Sequence, residues 1–107
     1  MNDEKIRKTT GMKADSIEGL SSNFEKLGIQ LRREICKEII SRGGPWVSLG
    51  FTFQDKKDAC DDFGSSKVML ASFKNTGGVY NRYSYFIIKT KEEAQKVCDI
   101  LKQTFNL

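Results

Sequence analysis

The spacing of apolar residues predicts a helix in the first half of the chain. From Ser22 onward, apolar side chains recur at steps of three and four residues, which is typical of an amphipathic helix. They are Phe24, Leu27, Leu31, Ile35 and Ile39. Ser22 and Glu25 have the spacing of a capping box, and Gly43-Gly44-Pro45 is a typical helix end. The pattern predicts a first helix from Ser22 to about Arg42.

Three later segments have the two-residue alternation or the β-branched and aromatic content of strands. They are Trp46 to Gln54, Lys67 to Lys74, and Val79 to Lys89. Asn75 to Gly78 predicts a hairpin turn between the last two segments. Residues 55–66 are polar and predict a loop or one short helical turn.

The last segment again has helical spacing. Thr90 and Glu93 have the form of a capping box. The apolar positions that follow are Ala94, Val97, Cys98, Leu101 and Phe105. The predicted fold class is therefore α+β, in the order α-β-β-β-α, with a three-stranded antiparallel sheet and two helices packed on one face.

A length of 107 residues fits one domain with a single core. Residues 1–20 mix both charges with few apolar side chains, so we expect a flexible N-terminal tail there and a single α+β domain over 21–107. A basic arm that contacts phosphate is the alternative for the tail.

The composition argues against catalysis. The chain contains no histidine, which removes the usual general base and the common metal ligand. Its three cysteines lack C-x-x-C spacing, and the aspartates of residues 55–62 lack the spacing of a calcium loop. We therefore expect no enzyme activity, no metal and no cofactor.

The chain has no apolar run of the roughly 18 to 20 residues that a membrane span needs. Its first residues are charged instead of forming the apolar part of a signal peptide. We therefore expect a cytoplasmic protein without membrane association.

The net charge of +4 and the aromatic content favour a binding function. If Phe73, Tyr80 and Arg82 share an open sheet face with Trp46, rings and cations are interleaved there, as in proteins that hold nucleic acid. The predicted nucleic-acid contacts are Arg32, Arg33, Lys74, Tyr80, Arg82 and Lys89. The alternative is a protein-interaction or regulatory module that homodimerises through its sheet.

The inferred order of elements is similar to that of double-stranded-RNA-binding domains and of the Alu-domain proteins of the signal recognition particle. The strand-rich part also resembles whirly-type single-strand-binding coactivators. At residue level, Lys89-Thr90-Lys91-Glu92-Glu93-Ala94 resembles the lysine-rich helix start of the double-stranded-RNA domains. Here two glutamates stand where that family has cations, and the loop between the first two strands is acidic. The resemblance implies nucleic-acid binding.

Overall fold

Antiparallel strands and one C-terminal helix make up the fold in the computed structural model, which describes residues 12–107. Within that range the elements are β1 (Lys13–Ala14), β2 (Phe24–Lys26), β3 (Ile29–Gly43), β4 (Trp46–Asp55), β5 (Lys67–Thr76), β6 (Val79–Ile88) and α1 (Lys91–Phe105). The six strands form one sheet in the order β1-β6-β5-β4-β3-β2, curled into a half-barrel. The predicted α+β fold, with three strands and two helices, is therefore wrong, because the described chain is mostly β.

The segment predicted as the first helix forms β2 and β3 instead. Leu27 and Gly28 have φ values of 53° and 81°, and this left-handed backbone turns the chain between the two strands. A step of four residues is also an even step, so apolar residues at that spacing fit one side of a strand as well as one side of a helix. Pairing of β3 with β4 along most of its length decides between the two.

The element order behind the resemblance to double-stranded-RNA and Alu-domain proteins depended on that first helix, which β3 replaces. Ser22 does not cap a helix either. Its backbone N–H and its Oγ both donate to Glu34 Oε1, at 2.8 and 3.1 Å. The residue therefore ties the N-terminal segment to β3.

The later elements are confirmed to within two residues. β4, β5, β6 and α1 lie where the alternation and the capping box predict them. The turn at residues 75–78 is present, with Gly77 and Gly78 at positive φ. Thr90 caps α1 by accepting a hydrogen bond from the Glu93 N–H at 3.1 Å.

The core lies on one side of β4 and β5, which we call the inner face. It consists of side chains that are at most 5% exposed. They are Val47, Leu49, Phe51, Phe53, Met69, Ala71 and Phe73. Residues 12–22 cover this face, with Leu20 fully buried among the core side chains. The predicted tail of residues 1–20 overlaps this covering segment from Met12 onward, and its first eleven residues lie outside the described chain.

A lysine from β3 holds the covering segment in place. Lys37 Nζ donates to the carbonyl oxygens of Ile17, Glu18 and Leu20, at 3.0, 3.2 and 2.7 Å. Three acceptors satisfy all three ammonium protons. The cation therefore replaces the strand hydrogen bonds that this irregular segment lacks.

The opposite side of the sheet, which we call the outer face, is open among the described residues. Val68 and Ile88 on this face are partly buried, and the more exposed large apolar side chains are 36% to 70% exposed. They are Ile40, Trp46, Leu70, Tyr83 and Phe86. Helix α1 has no buried residue and makes no extensive contact with any of the described strands. The predicted packing of two helices on one sheet face is therefore wrong. No helix in residues 12–107 is both long and apolar enough to cross a membrane.

Candidate nucleic-acid interface

An open pocket lies where β3 begins and β4 ends. Its volume is about 580 Å³. We call it the basic pocket, and its lining residues are Phe24, Leu31, Arg32, Asp55, Lys56, Lys57 and Lys67. Four of the seven are cationic and one is anionic. An excess of cations in a concave, partly apolar site favours an anionic ligand.

Antiparallel pairing brings these residues together. Arg32 pairs with Asp55 across β3 and β4, and Phe53 pairs with Lys67 across β4 and β5. Lys56 and Lys57 follow directly from the end of β4. The Lys56 N–H donates to the Leu31 carbonyl oxygen at 2.9 Å, which extends the ladder by one bond. The cations of the pocket thus start from ordered backbone.

Arg32 is the most fixed cation of the pocket. Its Nε and one terminal nitrogen donate to the two carboxylate oxygens of Asp55, at 2.6 and 3.1 Å. The guanidinium also lies over the Phe53 ring, 4.2 Å from the centroid. Lys67 Nζ reaches the same carboxylate at 3.4 Å. One carboxylate is thus shared by two cations, which leaves positive charge for a ligand.

The pKa of Asp55 reflects this setting. Partial burial on its own raises the pKa of Asp55, but the hydrogen bond and charge of Arg32, helped by Lys67, outweigh it. The net pKa lies below the ordinary value for aspartate. Asp55 is therefore an ion-pair partner, ionised at neutral pH, and is a poor general acid.

A second cation and ring lie on the inner face of β6. The Arg82 guanidinium stacks on the Tyr85 ring, 3.8 Å from the centroid, and Tyr85 is about half exposed. Burial lowers the pKa of Arg82, and the charge of Arg32 adds to that effect, although Arg82 stays protonated. The stacked pair lies on the same face of the sheet as Arg32 and Lys67 of the basic pocket.

The structure divides the predicted contact residues between the two sides of the sheet. Arg32, Tyr80 and Arg82 lie on the inner face, where Tyr80 packs against the core. Phe73 shares that face but is fully buried, so it is not available for stacking. The open aromatic surface expected around Phe73, Tyr80 and Arg82 is therefore absent from the outer face. The nucleic-acid role of these residues stays a prediction.

The other predicted contacts lie elsewhere. Lys74 extends over the Trp46 ring on the outer face, 5.5 Å from its centroid. Arg33 Nε donates to Gln54 Oε1 at 2.8 Å. Lys89 follows the end of β6, one residue past the Val68–Ile88 pair, at the same end of the sheet as the basic pocket.

A strand bulge explains the position of Arg82. The register shifts between Ser72 and Phe73, so Phe73 faces Arg82 while Ser72 faces Ser84. Tyr83, between them, turns to the outer face and meets Trp46 edge-on at 4.9 Å. Strict alternation along β6 fails at this point, and the sequence has no marker for the bulge.

Three lysines of the pocket and the exposed ring of Tyr85 were not predicted from the sequence. Lys56, Lys57 and Lys67 border a loop whose aspartates dominate its composition. A usable signal was present: cations directly flank two strands that are adjacent in the chain, and antiparallel pairing brings those flanks together. Lys56 also lies over the Phe63 ring, as does Arg33, at 4.7 and 4.2 Å.

Other kinds of site find no support in the described residues. No group of three or more histidine, cysteine, aspartate or glutamate side chains in residues 12–107 could hold a metal ion. All three cysteines are free thiols and exposed. Comparison of the chain with protein-family models, curated proteins and solved structures finds no match. Function must therefore be inferred from geometry.

Proposed function

We propose that this chain is a non-catalytic module that binds single-stranded nucleic acid across the basic pocket and the adjoining inner face of β6. The observation that carries the proposal is the excess of cations in the pocket, on the sheet face that also carries the accessible ring of Tyr85. Lys56, Lys57 and Lys67 supply charges for phosphates. Tyr85, with Arg82 behind it, offers a flat surface for a base.

The shape of the site favours a single strand over a duplex. Stacking requires unpaired bases, and the Tyr85 ring, about half exposed and backed by Arg82, is accessible to one. Residues 58–62 carry three further aspartates. These repel phosphate, so we expect the backbone of the nucleic acid to pass on the Lys67 side of the pocket.

Fluorescence anisotropy of labelled mixed-sequence DNA and RNA oligonucleotides, titrated at several salt concentrations, tests the proposal. The double variant Lys57→Gln/Lys67→Gln should weaken binding to both, and it should flatten the dependence of log K on log salt by about 0.7 for each phosphate that is no longer neutralised. Lys96→Gln/Lys102→Gln on α1 removes the same charge and is the matched control, for which we expect little change.

Two results would contradict the proposal. One is an equal loss of affinity in both double variants, which would indicate attraction by net charge alone. The other is the absence of salt-dependent binding by the wild type, either because its affinity does not fall as salt rises or because no binding occurs at low salt. Tyr85→Ala tests base stacking separately. We expect it to weaken the binding free energy by about 1–3 kcal/mol, the contribution of one stacked base.

A further inference from the structure

Helix α1 presents an apolar side whose C-terminal half is exposed among residues 12–107. Leu101 and Phe105 are 41% and 65% exposed on that side. A capping box fixes the helix direction: Thr90 Oγ1 accepts from the Glu93 N–H, and Glu93 Oε1 accepts from the Lys89 N–H at 2.7 Å. Only Lys89 and Thr90 separate α1 from β6. The C-terminal apolar side chains of α1 remain exposed to solvent.

The outer face is a second uncovered apolar surface in the same chain. Leu70 lies directly opposite Phe86 across β5 and β6. Gly50 lies beside them, and a Cβ there would meet Leu70 Cδ2 at 3.6 Å and Ile40 Cδ1 at 3.7 Å. Trp46 and Tyr83 continue the surface toward the hairpin turns. A row of paired serines, Ser48, Ser72 and Ser84, lies between Leu70 and Phe86 on one side and Trp46 and Tyr83 on the other, so the outer face carries two neighbouring apolar clusters.

The combined area is comparable to a protein interface. We apply the exposed fractions of the five outer-face residues, with Leu101 and Phe105, to side chains of about 150–250 Å² each. The result is roughly 700 Å², and half-buried Val68, Ile88 and Val97 add to it. A standard interface buries about 800 Å² on each partner. The two surfaces together therefore expose an apolar area of about the size that one partner buries in a standard interface.

We infer that a second copy of this chain covers both surfaces, with α1 of each copy packed on the outer face of the other. A helix stripe and an open sheet face are the two layers that commonly pack together, and each copy supplies one of each. A twofold arrangement then buries all four surfaces at once. Residues 1–11 contribute only Met1 and Ile6 as large apolar side chains, too few to cover either surface.

Light scattering coupled to gel filtration, from about 5 to 100 µM protein, tests this inference. The chain has a mass of 12.2 kDa, and we expect twice that mass. Leu101→Lys and Phe86→Lys should each raise the dimer dissociation constant at least 100-fold. Gln103→Lys, on the opposite side of α1, is the matched control and should stay dimeric.

Each other outcome would overturn the inference. A wild-type monomer at 100 µM does so directly, as does a dimer that survives both lysine substitutions. A dimer broken by Leu101→Lys but not by Phe86→Lys would show helices pairing with each other, away from the outer face. Circular dichroism should show both variants folded, since both side chains are exposed within one copy. If either unfolds, Phe105→Gln and Leu70→Gln repeat the test with smaller changes.

Dimer formation and nucleic-acid binding are separable in these experiments. Lys57→Gln/Lys67→Gln should lose nucleic acid and stay dimeric, because both lysines line the basic pocket and neither belongs to the outer-face clusters. A monomeric wild-type protein that still binds oligonucleotides would reject the second-copy inference and leave the proposed function standing.

Discussion

The two sides of strands β4 and β5 differ in how the chain covers them. On the inner face, Leu49 and Phe73 are fully buried beneath residues 12–22. On the outer face, Leu70 and the neighbouring Phe86 of β6 are 36% and 56% exposed. Both sides carry large apolar residues, yet the described chain covers only one. The comparison indicates that the inner face stabilises the monomer, while the outer face is available for association.

Replacing Phe73 on the inner face by alanine should lower the stability of the fold more than any other change considered below. The side chain is fully buried and meets Phe51 edge-on at 6.3 Å between ring centroids. We expect the free energy of unfolding in urea to fall by about 3–5 kcal/mol. Phe86→Ala makes the same chemical change on the outer face and should cost about 1 kcal/mol or less in dilute protein. Equal losses for the two variants would contradict the comparison.

Removing the Lys37 hydrogen bonds between β3 and the covering segment should have an intermediate effect on stability. Lys37→Met removes the ammonium donor from the carbonyl oxygens of Ile17, Glu18 and Leu20, and the bonds to Ile17 and Leu20 are partly buried. We expect a loss of about 1–3 kcal/mol in the free energy of unfolding, together with faster amide hydrogen exchange confined to residues 12–22. Lys74→Met, over Trp46 on the outer face, is the matched control, with an expected change within about 0.5 kcal/mol. Unchanged exchange in residues 12–22 would show that Lys37 does not hold the segment.

Lowering the pH should have the smallest effect on stability, through protonation of Asp55 at the basic pocket. Its pKa is lowered in the folded state, so the ion pair stabilises the fold above the unfolded pKa of about 3.9. That contribution is lost as pH falls through the lower, folded pKa. Because the side chain is 29% exposed, we expect less than about 1 kcal/mol. Wild type should therefore exceed Asp55→Asn in unfolding free energy at pH 6, and the difference should shrink at pH 2 to 3. A difference independent of pH would contradict this assignment.

Local signals in the sequence predicted the second half of the fold. Alternation in Trp46–Asp55 and the capping residues Thr90 and Glu93 mark elements whose pattern fits one period only. In β3 the apolar residues Leu31, Ile35 and Ile39 fit a helix and a strand equally well. Pairing with β4 favours the strand, and the bulges at Glu34/Cys36 and Ile39/Ser41 hide its alternation. The non-local pairing with β4 therefore makes this segment a strand, which the local spacing of its apolar residues does not indicate.

The candidate site was only partly predictable for the same reason. Arg32 and Arg82 were selected as basic residues, but their common face follows from the pairing of β3 with β4 and from the bulge at Ser72/Phe73. Lys56 and Lys67 are eleven residues apart in the sequence. They line the same pocket because β4 and β5 are antiparallel neighbours, which charge spacing alone does not indicate.

The free margin of β3 has a consequence for aggregation. Strand β2 pairs only with residues 29–32 of β3, so among the described strands none borders the rest of it. That margin carries Lys37, Glu38 and Arg42, and two bulges interrupt its regular repeat. Charged side chains and irregular backbone both discourage the addition of a foreign strand. The molecule can thus keep a broad hydrophobic surface open while its exposed backbone resists growth into fibrils.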